Sequence, residues 1–136
     1  MRAFALIVCL LMGLAAPPAW AGDDVTTAQT IIRSQEQAFA HDDAAAAYSY
    51  AAPALHALFP DADLFLSMVR GGYAPVYRHK SFEFGEGRAA DGKIAQTVRI
   101  IDADGNPWDA LYTLEQQPDG SWKITGCMLK AVGQSA

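Results

Sequence analysis

The sequence predicts an α+β fold, with N-terminal helices packed on one face of a curved antiparallel sheet of about four meander strands. Three observations carry that expectation. Apolar residues recur at helical spacing as far as Gly71-Gly72, and from Ser81 onward the period changes from about 3.6 to 2. The second half is also divided by three turn signals of one chemistry, Ala90-Asp91-Gly92, Ala103-Asp104-Gly105 and Pro118-Asp119-Gly120.

In the first helix Ala28, Ile31, Ile32, Gln35 and Phe39 share one face, with Asp24 or Thr26 as its cap. His41-Asp42-Asp43 interrupts, and an Asp starts an alanine-rich helix from Ala44 to Ala52 that ends at Pro53. Alanine has the highest helix propensity and admits a neighbouring helix closely, so this segment predicts a tight helix contact. A short turn over Leu55 to Phe59 precedes Pro60. Asp61 or Asp63 then caps a helix whose apolar face is Leu64, Phe65, Met68 and Val69, stopped by Gly71-Gly72.

Each Asp-Gly turn fits either a two-residue loop or a three-residue loop with the glycine in the left-handed region. A one-residue slip turns every side chain to the other face, so the choice decides the site. Charge pairing selects three-residue loops throughout, because Glu83 then faces Arg99, Arg99 faces Asp109, and Glu115 faces Lys123. In this register Glu86, Gln96, Tyr112 and Gly126 form one row on the helix-facing side, between apolar rows. The other face carries the Glu83, Arg99 and Asp109 ladder, the Thr113 and Thr125 pair, and Leu111 beside Cys127.

Of the 136 residues 51% are apolar, and 10 basic face 15 acidic side chains, a net charge of −5. An acidic surface without a Lys/Arg block gains nothing from nucleic acid or anionic lipid, so no nucleic-acid partner is expected. Residues 1–21 read as a signal peptide. Arg2 precedes an apolar run from Ala3 to Ala16, Pro17-Pro18 breaks it, and Ala19-Trp20-Ala21 offers a small-x-small cleavage site. The run is short of the roughly 18 apolar residues that a membrane span needs, so none is expected after cleavage. Residues 22–136 are then a single α+β domain, exported to the periplasm or secreted, with Cys127 as its one cysteine.

Three stretches resemble a known family. Met68-Val69-Arg70-Gly71-Gly72-Tyr73-Ala74-Pro75-Val76-Tyr77-Arg78, Trp108-Asp109-Ala110-Leu111-Tyr112-Thr113-Leu114-Glu115 and Asp119-Gly120-Ser121-Trp122-Lys123-Ile124-Thr125-Gly126-Cys127-Met128-Leu129 are similar to an uncharacterised secreted bacterial family, domain of unknown function 4864. The overall plan also resembles the nuclear transport factor 2-like cone, in which helices close one side of a curved sheet around a pocket. Neither resemblance implies a reaction, and the cone fold hosts enzymes and pure binding modules alike.

The candidate pocket is therefore Glu86, Gln96, Tyr112 and Gly126, walled by Tyr73 and Tyr77. A carboxyl group there would have a raised pKa and exchange protons, Tyr112 would donate to an oxyanion, Gln96 would orient a carbonyl, and Gly126 would leave room. The plainer alternative pairs Glu86 with Arg88 and lays Tyr112 over Gly126 as packing. A second cluster, Arg70, Tyr73, Tyr77, Arg78, His79 and Lys80, suits a small anionic or aromatic ligand, or else ordinary solvated charges at a helix end. His41, His56 and His79 are dispersed without ligand spacing, so neither metal nor other cofactor is expected. Asp102-x-Asp104-Gly105-Asn106 is similar to the opening of a calcium loop, but its glycine is misplaced and Thr113 stands where a glutamate belongs. Two functions of different class follow. One is small-molecule binding in a pocket between helices and sheet, with catalysis left open. The other is an interaction module whose outer sheet face, around Leu111, Cys127 and Leu129, makes a homodimer or meets another envelope protein.

Overall fold

The structure, a computed structural model, describes residues 20–133; the proposed signal peptide lies almost wholly outside the described residues. Its elements run α1 Trp20–Ala40, α2 Ala44–Ser49, α3 Pro53–Leu58, α4 Ala62–Gly72, α5 Ala74–Tyr77, β1 His79–Ala90, β2 Lys93–Asp102, β3 Pro107–Gln116 and β4 Trp122–Ala131. The strands pair antiparallel in chain order as an open four-stranded meander, which is the α+β arrangement expected.

Helical periodicity places the apolar faces well. On α1, Ala28, Ile32, Gln35 and Phe39 are buried, and Ala47 of α2 is fully enclosed beside them. The Asp43 carboxylate accepts from Ala46 N at 3.1 Å and the Asp61 carboxylate from Leu64 N at 2.8 Å, each satisfying an amide that its helix leaves unpaired. Three boundaries differ from expectation. First, α1 starts ahead of Asp24 and Thr26, and Thr26 Oγ1 donates to Gly22 O at 2.9 Å instead of capping. Second, α2 ends early because Ala51 and Ala52 leave it to meet β4, with Ala52 N donating to Ile124 O and Ile124 N to Tyr50 O, both at 2.8 Å. This contact covers part of an otherwise open sheet edge. Third, α4 runs through Gly71-Gly72 and turns Leu64 to solvent, burying Leu66 with Phe65 and Val69.

The sheet departs from the expected register at two bulges. In the β1–β2 hairpin Ala90 pairs with Lys93 across a two-residue loop, and Asp91 and Gly92 have φ of 53° and 72°, the positive pair of a type I′ turn. Three-residue loops were expected here. Farther along, β1 carries Gly85 and Glu86 opposite Thr97 alone, and this extra residue restores Glu83 opposite Arg99. The other two hairpins close on three-residue loops with Gly105 and Gly120 at φ of 86° and 87°. In β4, however, Thr125 and Gly126 both lie against Thr113, and beyond them Tyr112 faces Cys127 and Ala110 faces Leu129.

Gln96 holds the first bulge together. It is 0% exposed, and its Nε2 donates to Gly85 O at 3.0 Å and Thr97 O at 2.8 Å while its Oε1 accepts from Gln29 Nε2 at 3.2 Å. Gly87 must lack a side chain beside it, because a Cβ there would collide with the Gln96 amide oxygen and reach Val25 Cγ1 at 2.6 Å. Urea denaturation should therefore show Gly87→Ala destabilised by about 1–3 kcal/mol, as overpacking a closed interior does. Gly126→Ala, whose added Cβ meets only Thr113 Oγ1 at 3.4 Å, should change stability far less.

Candidate functional site

Between the helices and the sheet lies a cavity of about 280 Å³. Gln35 and Phe39 of α1, Leu55 and Leu58 of α3, and Phe65, Met68 and Val69 of α4 line the helix side; Tyr112, Ile124 and Cys127 line the sheet side. Leu58, 71% exposed, stands at the rim. The rim helix α3 buries none of its residues and is held from α2, since His56 stacks on Tyr48 at 3.7 Å and Tyr48 Oη donates to Phe59 O.

The cavity receives part of the expected row. Tyr73, Tyr112 and Gly126 line it, but Gly126 does so through its backbone, because the β4 bulge points its missing side chain at Thr113 on the outer face. Gln96 is buried elsewhere, in the β1 bulge. Glu86 is not in the cavity either: the same bulge swings it to solvent, where its Oε1 meets Arg88 Nη2 at 3.0 Å. Tyr77 packs behind Phe39, their ring centroids 5.8 Å apart. Two polar residues that the row lacked take their place. Gln35 was legible as the polar member of the buried α1 face, whereas Cys127 was assigned to the outer face because alternation was carried through the β4 bulge, which Gly126 alone marks only weakly. Leu129 turns inward with it, so of Leu111, Cys127 and Leu129 only Leu111 stays outside, beside Met128, which is 67% exposed.

No charged side chain lines this cavity among the described residues. The Tyr112 hydroxyl and the Cys127 thiol on its sheet side both stay protonated at neutral pH. Burial pushes the Cys127 thiol up to about 12, against a smaller opposing effect of its hydrogen bond with Tyr112, and burial raises the Tyr112 hydroxyl well above its ordinary value. The thiol is accordingly no ready nucleophile.

The basic and aromatic connection is occupied by its own fold. Tyr77 Oη donates to Asp42 Oδ1, Arg78 Nη2 reaches the same oxygen at 2.8 Å, and the Arg70 and Arg78 guanidinium groups lie 5.3 and 4.3 Å from the Tyr77 ring centre. These bonds hold Asp42 in its left-handed turn, φ 52°, between α1 and α2. Asp102 is similarly engaged, its Oδ1 accepting from Asp104 N and Asn106 N and its Oδ2 from Trp108 Nε1, which organises the β2–β3 turn and uses the carboxylate that a cation would need.

His79 joins β1 to α1 rather than facing a ligand. Its Nδ1 donates to Pro75 O at 2.9 Å and its Nε2 lies 3.2 Å from Glu36 Oε2, which also holds Arg33. Both ring nitrogens carry protons only in the imidazolium, so although burial opposes the charge, the Glu36 and Pro75 partners raise the His79 pKa. Burial likewise opposes the Glu36 charge, but hydrogen bonds from His79 and Arg33 prevail and lower its pKa. The signs set a window. The histidine's contribution is complete below its unfolded value near 6.5 and is lost as pH rises through its raised folded value; the glutamate's is lost as pH falls through its lowered one. Melting temperature should thus fall on going from pH 6 to pH 8.5, and Glu36→Gln should flatten that fall.

Comparison with curated proteins finds no match. The family model described as Domain of unknown function (DUF4864) matches residues 21–136, which include every strand, every cavity-lining residue and the three stretches quoted above. The chain belongs to that family.

Proposed function

We propose that this is an exported protein that binds a small, neutral, largely apolar molecule in the cavity between its helices and sheet. The observation that carries the reading is the lining: a largely apolar space of about 280 Å³ with Gln35, Tyr73, Tyr112 and Cys127 as its polar side chains and no charge. Pockets that hold small ligands are apolar with a few placed polar groups, and this one is slightly smaller than those for drug-sized molecules. A charged ligand would have to leave water for a space without a countercharge, which is strongly unfavourable. Catalysis is less well served. With Tyr112 and Cys127 both held protonated, neither acts as a general base at neutral pH. Export rests on the character of residues 1–21, which would leave a mature chain starting at Gly22.

Native mass spectrometry of protein recovered after export should show a mass starting at Gly22 and a retained neutral molecule. Val69→Phe, which inserts a ring from the α4 wall, should abolish retention while keeping the melting temperature within a few degrees. Retention undiminished in Val69→Phe would overturn the cavity as the binding site, and retained residues 1–21 would overturn export with cleavage. Gly126→Leu should leave binding intact, since its side chain would extend over Thr113.

A further inference from the structure

The polar wall of the cavity is unevenly equipped, and this bears on which neutral molecules fit; the inference rests on the cavity being a binding site. Gln35 is 4% exposed, and its Nε2 donates to Ala47 O at 3.1 Å. That bond fixes the orientation of the amide, because the flipped form would set oxygen against a carbonyl oxygen. Its Oε1 receives no hydrogen bond among the described residues, and Gln35 is one of the cavity-lining side chains. The Tyr112 hydroxyl and the Cys127 thiol, by contrast, are cross-strand neighbours on the sheet wall of the cavity, and each can donate or accept. No buried side-chain oxygen lacks a partner among the described residues, so this oxygen is open to the cavity, and any occupant that displaces water from it must answer it.

We infer that the cavity selects an apolar body ending in a hydroxyl, which donates to Gln35 Oε1 and accepts from the Tyr112–Cys127 pair. A ketone, aldehyde or ether of the same size brings only lone pairs to Gln35 and leaves that oxygen unanswered. A carboxylate brings lone pairs and a charge. The shape of the apolar body is set by the surrounding rings of Phe39, Phe59 and Phe65 and by Met68, so a planar ring is accommodated.

Titration calorimetry on the full mature protein, emptied of any retained molecule, tests this with toluene, anisole, benzaldehyde, phenol and benzoate as probes. Phenol should bind more tightly than anisole and benzaldehyde, by about tenfold for one hydrogen bond gained and one unmatched acceptor relieved. Benzoate should not bind. A preference for phenol of less than about threefold, with toluene and anisole binding, would overturn the hydroxyl inference and leave the apolar cavity standing. Absence of heat and of thermal stabilisation with all five would overturn the binding reading itself, and the inference with it. In Gln35→Met, which keeps the volume and removes the acceptor, the preference should vanish while toluene binds as before. If that variant fails to fold, the ranking on the unaltered protein still decides.

Discussion

The side-chain amide of Gln96 replaces the ladder bonds that an extra residue removes from the β1–β2 pair. Gly85 and Thr97 present carbonyls to it, Gln29 of α1 reaches its oxygen, and Gly87 gives it room. Both carbonyl bonds are part-buried, so each contributes about 0.5–1.5 kcal/mol, and this one side chain supplies them together to hold the bulge. Much else depends on it. The bulge converts the register imposed by the two-residue Asp91-Gly92 turn into the one that sets Glu83 opposite Arg99, and beside it the Gln29 bond ties Gln96 of β2 to α1.

A second bulge, in β4, has the larger consequence for the site. One extra residue opposite Thr113 moves Cys127 and Leu129 from the outer face to the helix side and turns Met128 out. Without it Gly126 would stand opposite Tyr112 and the cavity wall would lose its sulfur. Both bulges lie near the helix-covered portion of the sheet, where local bending lets the strands close around a space instead of running flat beneath the helices.

These two insertions explain what the residues alone made visible. The helical faces were legible because Ile32, Gln35 and Phe39 obey a spacing that no neighbour can alter, and Asp43 and Asp61 announce their caps by residue type. The strand pairing was legible near the charged ladder, where Glu83, Arg99 and Asp109 select one register. Glu86 and Cys127 were placed on the wrong faces for one reason: alternation was carried past a bulge. The glycines of Gly85-Glu86-Gly87 hinted at the first irregularity, since glycine within a strand often marks one. Thr125-Gly126 offered only half of that signal. Tyr73 and Tyr112 reached the cavity because neither lies beyond an uncorrected slip.

The charge distribution makes the cavity's neutrality a property of the whole fold. Glu36 lies next along α1 from Gln35, yet its carboxylate turns to His79 and Arg33 at the β1 side and accepts from both. Arg70 and Arg78 close on Tyr77 and Asp42 at the α1–α2 turn, behind Phe39 and away from the cavity lining. These charges thus have partners that draw them off the cavity, and the amide of Gln35 is left as the most polar group that α1 presents there. An ion entering this space would meet phenyl rings, a thioether and a protonated tyrosine, none of which offsets its lost hydration. A hydroxyl forfeits far less, and on the proposed reading it would recover that from the Gln35 oxygen.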